Sequence, residues 1–290
     1  MKNKLLILLC LIISLSSVSC IYGTNNFLYK GNKVDYRIDE FHRLNDFEST
    51  IDVQNLPNKY QILVITDTHF GSPKKTTETE SFYKWLDTLN DENRPKFCLI
   101  LGDNVDRGYE NEYKLFCKFV KHIEDKGIPG ISTVGNHDLY NSGWDLYVKY
   151  CYPNCSLFHF ETKAFSWYSI DTGTGIIGTK QFKILKRALR SEDKPKIILS
   201  HYPLTNSKWV GAISLHDSTE RNLLIDLYSR TNVKTLLCGH LHQINYADLG
   251  PFIEYGHPSF CYADFNAWTL YEIDESDNNN PKITQLPRDF

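Results

Sequence analysis

The sequence predicts an α/β fold with a largely parallel inner sheet. Three features of the 290-residue chain lead to that reading. Short apolar runs recur at 61–66, 97–101, 131–134, 196–200 and 234–238, the pattern of strands buried on both faces. Between several of them, apolar side chains fall at helical spacing, as in Phe82, Trp85, Leu86 and Leu89. Each run also ends in a polar cluster, which puts hydrophilic groups at the sheet rim where open α/β sheets bind ligands. Strand–helix–strand alternation then implies right-handed crossovers between parallel neighbours.

The first run ends in Asp67, Thr68 and His69, and a loop over 70–80 leads to the helix marked by Phe82. The run at 97–101 closes on Gly102, Asp103, Asn104, Val105, Asp106 and Arg107. Gly102 lets the backbone turn, so Asp103 emerges at the rim. Taken alone, such an Asp is as readily a helix N-cap as a ligand. Tyr113, Phe116, Cys117, Val120 and Ile123 define the next helix, which Gly127 ends. The third run closes on Gly135, Asn136, His137 and Asp138, followed by Tyr140, Trp144 and Tyr147 in a loop or short helix. Runs at 158–160 and 165–170 read as antiparallel strands, with Asp171 a structural turn after the second. Phe182, Leu185 and Leu189 mark a helix before the run that ends in His201, Tyr202 and Pro203. Leu223, Leu224 and Leu227 mark another, before the run that ends in Gly239, His240, Leu241 and His242. Short strands are expected at 252–255, 259–262 and 268–273, with a last one at 282–286 in an Asn-rich tail.

The chain is 41% hydrophobic and 23% charged, which supports a sizeable core and excludes global disorder. A net charge of −3 lacks the basic footprint of a nucleic-acid binder, so no nucleic-acid partner is expected. Lys2, Lys4, an apolar stretch over 5–13 and small residues before Cys20 have the anatomy of a signal peptide over 1–19. That stretch is too short to span a bilayer. Residues 15–20 resemble the lipobox of bacterial lipoproteins, with Ser17 where Leu is usual. Cys20 is then either a lipidated membrane anchor or the first residue of a secreted protein. Residues 20–56 read as an extension that packs on the domain or tethers it, 57–273 as the domain, and 274–290 as a polar tail. Cys98 and Cys238 sit in strand runs as buried thiols. Cys151 and Cys155 bracket Tyr152, Pro153 and Asn154, and export would permit a disulfide between them. A zinc knuckle there lacks a second cysteine pair at metal spacing.

The five strand ends collect carboxylate, imidazole and amide oxygen, the donors that hold divalent transition ions. One strand-end histidine is ordinarily structural; five polar endings on one rim form a constellation. His42, His122 and His159 stand outside the pattern as surface or core residues; His216 and His257 also follow no such pattern, although either could line a site.

In order, the blocks Asp67-Thr68-His69, Gly102 to Arg107, Gly135-Asn136-His137-Asp138, His201 and Gly239-His240-Leu241-His242 resemble the calcineurin-like metallophosphoesterase superfamily. The resemblance implies a four-layer αββα sandwich, two mixed β-sheets flanked by helices. It implies a first ion held by Asp67, His69 and His242, a second by Asn136, His201 and His240, and Asp103 bridging them. A shared carboxylate suits ions about 3.5–4 Å apart. The ions would be Mn, Fe or Zn, but Asp106 stands where purple acid phosphatases of the superfamily carry a tyrosine, which argues against an iron–tyrosinate centre.

The implied activity is exported hydrolysis of a small phosphorylated substrate: a phosphomonoester, phosphodiester or pyrophosphate. Hydroxide bridging the ions would attack phosphorus in line. Arg107 would stabilise equatorial charge, or form a surface ion pair. His137 would protonate the leaving group or steady its charge, oriented by Asp106. Asp138 is a second partner or a helix cap. About 65 residues separate Asn136 from His201, too few for a large cap domain. Tyr140, Trp144 and Trp209 are candidates for an aromatic wall, or for core packing. A non-catalytic binding or scaffold module on the same fold is the alternative, although such a module would ordinarily lose ligands and this chain keeps all seven.

Overall fold

In the computed structural model, which describes residues 29–73, 78–205, 214–262 and 267–287, alternate side chains of the inner strands feed two different cores. The described strands are β1 (His42–Arg43), β2 (Lys59–Ile65), β3 (Cys98–Ile100), β4 (Gly130–Ser132), β5 (Phe158–Glu161), β6 (Ser166–Ser169), β7 (Lys196–Leu199), β8 (Val233–Cys238), β9 (Asn245–Asp248), β10 (Ile253–Gly256), β11 (Thr269–Asp274) and β12 (Lys282–Gln285). The helices are α1 (Val34–Arg37), α2 (Asn45–Thr50), α3 (Glu78–Asp87), α4 (Glu110–Glu124), α5 (Trp144–Tyr150), α6 (Gly178–Arg190) and α7 (Ser218–Ser229).

One sheet runs β12-β11-β2-β3-β4, parallel across β2, β3 and β4 and antiparallel at β11 and β12. The other runs β1-β5-β6-β7-β8-β10-β9, parallel from β6 through β10. In β2, Ile62 and Val64 face the space between the sheets, where they meet Leu99, Trp167, Ile197 and Leu237. Leu63 and Ile65 point the other way, into a core with Phe82, Phe116 and Ile123 from α3 and α4. Beyond the second sheet, Ile198 and Leu236 pack with Leu185, Leu189, Leu224 and Leu227 from α6 and α7. The period of two in the strands and the apolar stripes of the helices thus produce four layers: helix, sheet, sheet, helix. This is the αββα sandwich that the resemblance implied.

Several details differ from the sequence reading. The third strand stops at Ser132. Residues 259–262 form a turn rather than a strand, with Phe260 N–H donating to Thr66 O at 2.9 Å and Cys261 N–H to Asp67 O at 3.1 Å. Cys151 and Cys155 are free thiols, not a disulfide. Cys151 is buried on the helix side of the first sheet and Cys155 packs against the inter-sheet core, so the two side chains serve different layers. The segment 29–56 packs on the domain: β1 adds a strand beside β5, and Leu44, Phe47 and Ile51 enter the inter-sheet core. The signal peptide, Cys20 and Trp209 lie outside the described residues.

Candidate metal centre

The strand-end blocks depart from ordinary backbone geometry. Asp67, His69, Asp103, His240 and His242 all have positive φ, between 42° and 68°. For residues other than glycine this conformation is uncommon, and it concentrates where surrounding structure forces side chains toward a ligand. Close packing of the turns holds it in place. A Cβ on Gly102 would stand 2.7 Å from His201 Nδ1, and one on Gly239 would stand 2.0 Å from Thr66 Oγ1, so both must be glycine.

The turns bring the seven expected ligands together. His242 Nε2 lies 3.1 Å from Asp67 Oδ1 and 3.3 Å from His69 Nε2. His201 Nε2 lies 3.1 Å from Asn136 Oδ1 and 3.3 Å from His240 Nδ1. Asp103 Oδ2 stands between these two groups, 3.8 Å from His69 Nε2 and 3.2 Å from His201 Nε2. Each half is therefore a set of donor atoms aimed at one another, and one carboxylate belongs to both.

Asp67 and Asp103 are 0% and 1% exposed, a costly place for anions without a cation. Asp67 Oδ2 accepts hydrogen bonds from Thr66 Oγ1 at 2.6 Å and His240 N–H at 3.0 Å, but its Oδ1, aimed into the centre, makes no well-formed hydrogen bond. An orphaned carboxylate oxygen facing imidazole nitrogens fits a bound divalent ion. Burial would raise the pKa of Asp67, yet His242 and His201 hold it at about 2. Burial likewise opposes ionisation of Asp103, and His201 still keeps it well below the carboxylate range. Burial lowers the pKa of His201, but the Asp103 charge overrides it and lifts the ring to about 9. Burial and the charge on His201 push His240 down to about 3.

Partners behind the ligands fix their orientation. His201 Nδ1 lies 2.8 Å from Leu101 O, which turns Nε2 to the centre. Asp103 Oδ1 accepts from His137 N–H at 2.7 Å. Asp138 is fully buried, and its carboxylate accepts the N–H groups of Asn104, Val105 and Gly135. It is a tie between the Asp103 and Asn136 turns, a role invisible in the sequence.

The placement of Asp106 differs from the expected one. Its carboxylate oxygen is 3.6 Å from His69 Nδ1 and 4.0 Å from His137 Nδ1, whereas its carbonyl oxygen is only 2.6 Å from His137 Nδ1. The main chain of Asp106 orients His137, and its side chain turns toward His69. Arg107 is at the rim with 64% of its side chain exposed, its Nε 3.5 Å from Asp106 Oδ2. Tyr140 accepts from Asn136 Nδ2 at 3.2 Å and belongs to the site. Trp144 is buried against Tyr147 and belongs to a core.

Two aromatic residues that the sequence did not flag also line the centre. Tyr202 stacks on His240 with ring centroids 3.7 Å apart, and Tyr262 stacks on His242 at 5.1 Å. Neither falls in a periodic pattern, although Tyr202 directly follows the candidate ligand His201. His216 packs edge-on to Tyr202. His257 is a core residue bonded to Cys238 O and Tyr271 Oη.

Comparison with known proteins gives the chain a family and a fold. The calcineurin-like phosphoesterase family model matches residues 60–244. A probable glycerophosphodiester phosphodiesterase, GpdQ, from Arcobacter nitrofigilis is 23% identical over 202 residues, covering 63% of this chain and 72% of its own. Among solved structures, a dimetal phosphatase from Danio rerio superimposes with a TM-score of 0.58 at 10% identity, covering 74% of this chain and 94% of its own. GAP50, the anchor in the inner membrane complex of Plasmodium, superimposes with a TM-score of 0.53 at 13% identity, covering 79% and 88%.

Proposed function

Because the chain belongs to the calcineurin-like phosphoesterase family and is a hydrolase, we propose that it is an exported two-metal enzyme that cleaves small phosphoesters, phosphodiesters foremost. The observation that carries the two-metal reading is Asp103 Oδ2, set between His69 Nε2 and His201 Nε2. Asp67, His69 and His242 would hold one ion, and Asn136, His201 and His240 the other. When bound, the ions would supply Lewis-acid polarisation of the phosphoryl group and would make a nearby water more acidic.

The remaining residues act on protons and charge. His137 is fixed through Nδ1 to Asp106 O, and 27% of its side chain is exposed at the centre's edge. With Nδ1–H donated to that carbonyl, Nε2 faces outward and, in the imidazolium form, would give its proton to the departing oxygen. Arg107 is exposed enough to swing onto the phosphoryl oxygens. Tyr202 and Tyr262 wall the two halves and favour a substrate with an apolar or ring-bearing leaving group. Phosphodiesters come first because the relative over 202 residues is a probable diester hydrolase.

Reconstitution of metal-free protein with manganese, zinc or iron tests the reading, with bis-aryl and mono-aryl phosphates as probes. Metal-dependent turnover, faster on the diester, is expected. A folded protein that takes up no ion and hydrolyses neither probe would favour a binding or scaffold role.

Export rests on the leader over 1–19 and the lipobox-like residues before Cys20. Among the described residues no helix is long and apolar enough to cross a membrane; the proposed attachment is through a lipidated Cys20. Wild-type protein should partition into detergent and Cys20→Ala into the aqueous phase. Aqueous partitioning of both would mean plain secretion.

A further inference from the structure

The segment preceding the family match carries a charge that reaches the turn after β6, behind the candidate metal centre. Arg37, at the end of α1, is buried and makes a bidentate pair with Asp171: Nε donates to Oδ2 at 2.7 Å and Nη2 to Oδ1 at 2.7 Å. Neither side chain is exposed, and Nη1 of Arg37 donates to Gly31 O at 2.8 Å. A pair this deep costs desolvation that a surface pair avoids, so its contribution is to fix geometry.

The geometry it fixes belongs to one half of the centre. Asp171 opens the turn after β6, and its Oδ1 also accepts from Gly173 N–H at 3.1 Å. The next residue, Thr172, presents Oγ1 to two main-chain donors, His201 N–H at 3.1 Å and Tyr202 N–H at 3.0 Å. Tyr202 in turn stacks on His240. Gly173 lies so close to the main chain before Asn136 that a Cβ there would be 3.0 Å from Gly135 O. The turn over 171–173 therefore touches His201 directly, lies against Gly135 just before Asn136, and connects to His240 through Tyr202. The first half is buttressed elsewhere. Ser259 Oγ donates to Asp67 O at 2.9 Å, the 260–261 amides bind Thr66 O and Asp67 O, and Tyr262 stacks on His242.

We propose that Arg37 is a positioning residue for the second ion, acting through Asp171 and Thr172 on the main chain that carries His201 and Asn136. The arm ahead of residue 60 then governs occupancy of one half of the centre and leaves the other alone. This inference rests on the two-metal reading.

Titration of metal-free protein with Mn²⁺ by calorimetry, with paramagnetic resonance to separate coupled from isolated ions, tests it. Wild type should bind two ions and give a coupled signal. Arg37→Met and Thr172→Val should each bind one ion at wild-type affinity and the other at least about tenfold more weakly, with an isolated-ion signal. A role in stability alone would lower the melting temperature and leave the ratio of the two affinities unchanged. Thr172→Val keeps the buried charge pair, so it carries the test should Arg37→Met fail to fold. Adding Arg37→Met to Asn136→Ala should not weaken the remaining ion further. Equal weakening of both ions, or of neither, in folded Thr172→Val overturns the proposal and leaves the hydrolase reading standing. Fewer than two ions in wild type would overturn the two-metal reading and this inference with it.

Discussion

Asp67 shows at the residue scale how buried polarity becomes chemistry. One carboxylate oxygen is satisfied and the other faces the centre without a hydrogen bond. Its identity was legible because a strand of apolar residues ends on it. Its orphaned oxygen was not, because that depends on His240 and Thr66 packing around it. His137 stands in a different position, bonded from behind by Asp106 O and placed beside the ligands. His137→Ala should therefore lower kcat by about 10²–10⁴-fold and retain both ions, by metal analysis beside steady-state kinetics. Loss of an ion would make it a ligand instead. His257 is the contrasting histidine. Burial pushes its pKa down to about 4, and it is neutral between Cys238 O and Tyr271 Oη. Above pH 6.5 the ring is neutral in folded and unfolded chains alike. As pH falls from 6.5 to 4, the unfolded chain takes up a proton that the folded chain refuses, and roughly 3 kcal/mol of stability is lost. Denaturant midpoints at pH 7, 5.5 and 4 should fall less steeply for His257→Gln than for wild type. Parallel curves would contradict the assignment.

At the scale of elements, the turns carry more of the function than the strands do. Asp138 joins the turn after β3 to the turn after β4 by accepting three main-chain N–H groups. Asp138→Ala leaves those donors buried without partners and should cost about 3 kcal/mol or more in denaturant unfolding. A loss below about 1 kcal/mol would mean that the turns hold themselves. The inner strands were legible as unbroken apolar runs and the long helices by their period of 3.6, both set by burial. The turn at 260–262 was misread because Phe260 and Cys261 look like strand residues. What decides their conformation is that their amides meet carbonyl groups on Thr66 and Asp67. β9 was missed for the opposite reason. Its sequence, Asn-Tyr-Ala-Asp, is a poor strand former, and pairing with β10 supplies what composition does not. The Asp106 side chain was assigned to His137 by resemblance, and only the local turn shows it leaning toward His69.

Across the whole molecule, the two sheets present their strand ends to a common rim, and the arm over 29–56 ties the sandwich together. Phe47 fills the space between the sheets while Arg37 reaches the turn behind His201. The sequence left open whether the arm packs on the domain or tethers it, because scattered apolar residues such as Phe47 and Ile51 acquire meaning only from the core they enter. The proposed function turns on one carboxylate, Asp103, set between two groups of candidate ligands. The most direct measurement is the metal content of Asp103→Asn beside wild type, with hydrolysis of a bis-aryl phosphate followed on the same samples. Two ions in wild type, none retained in the variant, and a fall in kcat/KM of at least about 10³-fold, or ~4 kcal/mol of transition-state stabilisation, is the expected result. A folded Asp103→Asn protein that keeps two ions and turns over within about tenfold of wild type would contradict it.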